Sequence, residues 1–94
     1  MKKYNNLEKT GVIVLGGHVQ GYGIIRIFGE NNIPSIVIDE NKMNIARHSK
    51  YCEKFIQCKY ENLLQLLLDL SENDNYKDWL LIPTDDYYVR ILSK

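Results

Sequence analysis

Short β-branched runs alternate along this chain with stretches of helical length, and that alternation restricts its fold more than any other feature. Gly11 to Leu15 (GVIVL) is a continuous apolar run, too short for a helix and bounded by glycine. Such a run reads as a strand buried on both faces. Val19 to Asn31 follows, with Ile24, Ile27 and Phe28 at helical spacing and Ile25 beside them. This helix is expected to end at Asn31-Asn32, because Asn tolerates the left-handed conformation and Pro34 cannot continue a helix. Ser35 to Asp39 (SIVID) is the second strand. Asn44 to Lys50 reads as a short helical turn. Lys54 to Cys58 (KFIQC) alternates apolar and polar residues, as expected of a strand nearer the sheet edge. Glu61 to Ser71 is a leucine-rich helix, apolar over more than one face, and Glu72 to Asp78 a polar loop. Trp79 to Ile82 (WLLI) is the fourth strand. Thr84 to Leu92 is the last helix, with Thr84 as the expected cap and Asp85 and Asp86 in the first turn, where the helix dipole favours acids.

Strands and helices in strict alternation, joined by short connections, predict an α/β fold with a small open parallel sheet and right-handed crossovers. The expected strand order is 3-2-1-4, with helices on both faces in a Rossmann-like arrangement. Ligands of open α/β sheets bind outside the carboxyl ends of strands, where the order reverses. Two segments meet there: Gly16 to Gly23 after strand 1, and Pro83 to Asp86 after strand 4.

Size and charge set limits. A chain of 94 residues builds one core, covering roughly 60 to 65% of its unfolded surface. The domain is expected over residues 11–94, preceded by a poorly ordered segment at 1–10. Twelve basic and twelve acidic residues balance to a net charge of +0, with no basic cluster. Nucleic acid and anionic membrane are therefore not expected as partners. Two cysteines, Cys52 and Cys58, match no zinc or redox spacing and are read as reduced, ordinary thiols. No signal sequence or membrane-length apolar run is evident, so the expected location is cytoplasmic.

The glycine-rich segment GGHVQGYG contains Gly16, Gly17, Gly21 and Gly23. Glycines there permit tight turning and close approach, either of a ligand or of neighbouring backbone, and a helix amino terminus can hold an anion. In the dinucleotide pattern G-x-G-x-x-G, His18 stands where the second glycine belongs. Asp39 ends strand 2, where nucleotide-binding domains place a ribose-binding acid; the plainer reading is a solvated acid that caps the turn at Asn41. His18 is either a ligand contact or a solvated loop residue, and His48 is read as solvated. The leucine-rich helix is core, or else an inter-domain or homodimer surface. No catalytic constellation is present.

The stretches VIVLGG, GYGIIRIFGENNIP, SIVIDENKMNIARHSKYC and LLIPTDDYYVRILS resemble the amino-terminal, pre-ATP-grasp domain of ATP-grasp ligases, in the carbamoyl-phosphate-synthase-like and carboxylate-amine ligase branch. The resemblance runs from about Thr10 to Lys94. ARHSKYC (Ala46 to Cys52) and IPTDD (Ile82 to Asp86) are its most specific pieces; Arg47, Ser49 and Tyr51 fit the first. It implies a parent protein that joins a carboxylate to an amine through an acyl phosphate, with ATP and Mg2+. It also implies central and ATP-grasp domains that lie outside these residues, so that this piece is not catalytic alone. Carried over by position, the substrate-side residues are Gly16, Gly17, His18, Gly21, Thr84 and Asp85. The alternative is a small nucleotide-binding regulatory module built on Gly16, Gly21 and Asp39.

Overall fold

The computed structural model describes residues 10–76 and 78–93. The segment expected at 1–10 lies, Thr10 aside, outside the described residues. Four strands form one wholly parallel sheet in the order β3-β2-β1-β4. They are β1 (Val12–Leu15), β2 (Ser35–Asp39), β3 (Lys54–Gln57) and β4 (Leu80–Pro83). The helices are α1 (Val19–Glu30), a 3₁₀ turn at Ala46–His48, α2 (Tyr60–Ser71) and α3 (Asp86–Leu92). The expected fold and strand order are those observed.

Every residue of β1 and β2 is buried, as continuous apolar runs require when both sheet faces are covered. Alternate side chains feed two cores. On one face Val12, Val14 and Val37 pack with Ile25 of α1 and Ala46 of the 3₁₀ turn. On the other, Ile13, Leu15, Ile36 and Ile38 pack with Leu63 of α2 and Tyr88 of α3. This division follows from right-handed crossovers: the first two connections move along the sheet in one direction, the third returns on the opposite face. Edge strand β3 contributes Phe55 to the first core and Ile56 to the second. Its Lys54 and Gln57 are exposed.

Helix α1 ends as its asparagines predict. Asn32 adopts φ 64°, and the amides of Asn32 and Ile33 donate to Gly29 O (3.0 Å) and Phe28 O (2.9 Å). That crossed pair is a Schellman closure, with Asn in the left-handed position and Pro34 just beyond. The expected inward stripe needs correction. Ile25 is fully buried and Ile27 is 60% exposed, because the line facing the sheet runs through Gly21 and Ile25, leaving Ile27 turned away.

The last helix also differs from expectation. Strand β4 runs one residue further than expected, to Pro83, which pairs with Leu15 on the sheet edge where a missing amide costs least. Thr84 is thereby drawn into the sheet end. Its amide (3.1 Å) and its hydroxyl (2.7 Å) both donate to Leu15 O. The cap is instead Asp85, whose Oδ1 accepts the Tyr88 amide at 3.1 Å. On α2, Leu63 is buried and Leu66, Leu67 and Leu70 pack against the core, while Leu64 and Leu68 are exposed. Among the described residues, no helix is long and apolar enough to cross a membrane.

Candidate functional site at the carboxyl edge of the sheet

The two loops expected at the reversal of strand order do meet. Gly16 leaves β1 with φ 105°, a conformation that side-chain-bearing residues rarely adopt. A side chain there would also run into Thr84 Oγ1 and the Tyr88 ring. The glycine loop and the segment after β4 are thus in direct contact.

Gly17 is enclosed by three partners. Its amide donates to Asp39 Oδ2 at 2.7 Å, its carbonyl accepts the Ala46 amide at 2.9 Å, and the Asn44 side chain fills the space a Cβ would need. Asn44 is itself buried, donating to Asn41 O (2.7 Å) and accepting the Arg47 amide (3.0 Å). Gly21 lies on the carbonyl of Gly16, where any Cβ would collide with backbone. Gly16, Gly17 and Gly21 are therefore each required by the packing of the chain on itself. Gly23, by contrast, has open space beside it.

Asp39 is not the solvated acid expected. It is only 3% exposed. Oδ2 holds Gly17, and Oδ1 accepts the Asn41 amide at 3.0 Å, which is the expected turn cap. The carboxylate is buried and turned to backbone amides of its own chain, which argues against the ribose-binding role of the nucleotide alternative. The carboxylate also lies beside the amino terminus of α1, where it compensates the positive end of the helix dipole from within the chain.

His18 is exposed and precedes α1 without forming a side-chain cap. The first turn of α1 carries no acid, and its first backbone bond runs from Tyr22 N–H to His18 O at 2.9 Å. By helix geometry, the amides ahead of Tyr22 have no intrahelical acceptor. Within the glycine segment, His18, Val19, Gln20 and Tyr22 are exposed. Of the remaining substrate-side candidates, Thr84 is committed to Leu15, and Asp85 to the start of α3.

The same edge carries residues that sequence reading did not single out. Tyr60 opens α2 and Tyr87 lies in the first turn of α3; their ring centroids are 4.2 Å apart and the planes tilted by 58°. Tyr88 meets Tyr60 edge-on at 5.4 Å. Tyr88 is 2% exposed, and its hydroxyl has no hydrogen-bond partner. It lies within electrostatic reach of Tyr60 and the Glu40 amide, but at no geometry that makes a bond. Burial first, then the charge of Asp39 and the nearby Tyr60, raises the Tyr88 phenol far above its usual range. Burial also raises Tyr60, with Glu40, Asp39 and Asp85 adding to the effect. The only sequence signal for this cluster was the spacing of aromatic residues at the starts of α2 and α3.

Burial raises both thiols as well, so neither Cys52 nor Cys58 is an activated nucleophile. Both are free and half-buried. Arg47 lies over the Phe55 ring at 5.3 Å and donates from Nη1 to Lys42 O at 2.6 Å; Ser49 Oγ accepts the Tyr51 amide at 3.1 Å. Tyr51 packs against Gly29 of α1. These three residues of the ARHSKYC piece hold the crossover from β2 to β3 in shape. Among the described residues no group of three or more His, Cys, Asp or Glu could hold a metal ion. No protein-family model matches the chain, and no match to a curated protein was found.

Proposed function

We propose that this chain is the substrate-side domain of an ATP-dependent carboxylate-amine ligase of the ATP-grasp kind, acting with central and ATP-grasp domains and not catalytic alone. The observation that carries the reading is the junction of Gly16 with Thr84 at the reversal of strand order, beside the amino terminus of α1. Open α/β sheets receive small ligands at such a junction. The two segments that meet there are those on which the family resemblance places substrate contacts. In this reading the glycines shape the wall, and His18 and the first-turn amides of α1 are what the wall presents.

The described residues do not themselves fit ATP and Mg2+. They include no metal-holding group, and the carboxylates of Asp39, Glu40 and Asp85 around the crevice oppose a polyphosphate. Phosphoryl transfer needs cationic and metal groups arranged around the phosphates. In this reading both ligands are held by the other domains of the parent protein. A cytoplasmic location goes with this metabolic role.

The test is to sequence the source DNA downstream of the codon for Lys94 and express the whole reading frame. A following ATP-grasp region, together with ADP release that requires Mg2+, a carboxylate and an amine, is the expected outcome. A stop codon directly after Lys94 ends the proposal. So does a full-length product that turns over no ATP across a panel of amino acids and amines.

A further inference from the structure

Between α2 and α3, at the carboxyl edge of the sheet, lies an open cleft of about 390 Å³ lined by Glu40, Tyr60, Glu61, Leu64, Tyr87 and Ile91. Its volume suits a small organic molecule. The lining is sorted by chemistry. Tyr60 and Tyr87 make a tilted aromatic pair, Leu64 and Ile91 supply an aliphatic wall, and Glu40 and Glu61 bring two carboxylates. Among the described residues neither carboxylate is part of a salt bridge. Leu64 and Tyr87 are 45% and 48% exposed, so these apolar surfaces are open to water.

We infer that this cleft binds an organic ammonium group, with the cation held by Glu40 and Glu61 against the Tyr60–Tyr87 pair, and its alkyl chain on Leu64 and Ile91. Aromatic faces attract cations within about 6 Å of the ring centroid, and the carboxylates add charge of the right sign while rejecting anions. The inference concerns side chains apart from the glycine loop and holds whether or not the chain belongs to a ligase.

The experiment is a titration of the ¹⁵N-labelled 94-residue chain with n-butylammonium chloride, and in parallel with n-butanol and sodium butyrate, at constant ionic strength. Saturable shifts confined to the amides of the lining residues, given by butylammonium and not by the other two, are expected. Glu61→Gln and Tyr87→Ala alter exposed side chains, and far-UV circular dichroism checks that each remains folded. Each should weaken binding by about two- to five-fold, the range of exposed ion-pair and cation–π contributions. Equal shifts from butanol, shifts that never saturate or fall elsewhere, or two folded variants that bind as the parent does would each overturn the inference.

Discussion

Replacing Gly17 by Ala tests whether the glycine loop is dictated by the chain's own packing. The φ of Gly17 is not in the left-handed region, so backbone conformation alone does not forbid alanine. The obstacle is Asn44, whose buried amide occupies the space of the new methyl group. Asn44 cannot move freely, because it bonds Asn41 O at 2.7 Å and the Arg47 amide at 3.0 Å. Two such bonds are worth about 0.5 to 1.5 kcal/mol each, and overpacking adds about 1 to 3 kcal/mol if the side chain stays. Gly17→Ala should therefore cost about 2 to 4 kcal/mol, and Asn44→Ala about 1 to 3 kcal/mol. In the double variant the Asn44 amide group is gone and only its Cβ, 3.0 Å away, still presses on the new methyl, so the total should exceed that of Asn44→Ala alone by less than about 1 kcal/mol. The coupling then amounts to about 2 kcal/mol, well above the additivity error of separated sites. Urea unfolding followed by far-UV circular dichroism and Trp79 fluorescence measures it. A 2 kcal/mol change moves the midpoint by roughly 1 M at the slopes usual for small domains. Strict additivity, or a Gly17→Ala variant as stable as the parent, would refute the packing account and return Gly17 to the set of ligand-contacting residues.

The two residues after β4 should separate in their effects. Asp85→Ala removes the α3 cap and is expected to cost about 0.5 to 2 kcal/mol, with faster hydrogen exchange at the Tyr88 amide. Thr84→Val removes the bond from its hydroxyl to Leu15 O, about 0.5 to 1.5 kcal/mol, and should leave that amide's exchange unchanged relative to the global stability. Alkaline pH should destabilise the chain. Cys52, Cys58, Tyr60 and Tyr88 all lie above their ordinary values of 9.0 and 10.0 when folded. The unfolded chain thus loses these protons first, and the contribution to stability is intact below about pH 9 and lost as pH rises from the unfolded values through the raised folded ones. Tyr88→Phe should reduce that loss. At neutral pH it should leave the chain as stable or up to about 1 to 3 kcal/mol more so, since the hydroxyl it deletes is unpaired. A Tyr88→Phe variant less stable than the parent at pH 7 would show that the hydroxyl is satisfied in solution.

Much of the fold was legible because the signals are local. The strands announce themselves as apolar runs of four or five residues, and the close of α1 is carried by Asn32 and Pro34 alone. What could not be read was decided by distant contacts. Thr84 and Asp85 are both competent caps by residue type; the choice fell to Asp85 because β4 extends to Pro83 and the carbonyl of Leu15 claims Thr84. Ile27 fits a helical stripe as well as Ile25 does, and only the approach of Gly21 to Gly16 fixes which line faces the sheet. Asp39 at a strand end looks solvated in sequence. It is buried because a loop 22 residues earlier offers it an amide.

That last contact changes what the glycine-rich signal means for ligand binding. Small residues after a first strand attract a nucleotide reading because they let phosphate approach a helix amino terminus. Here Gly16, Gly17 and Gly21 are filled from within the chain, by Thr84 and Tyr88, by Asn44, and by backbone. The negative charge that a phosphate would bring to α1 is already supplied by Asp39. In the cleft between α2 and α3, Glu40 and Glu61 stand with Tyr60 and the exposed Tyr87. A nucleotide would have to bring its charge against those carboxylates, whereas a small amine gains from each of them. At this edge electrostatics therefore separates a small amine from a nucleotide more sharply than the glycine spacing does.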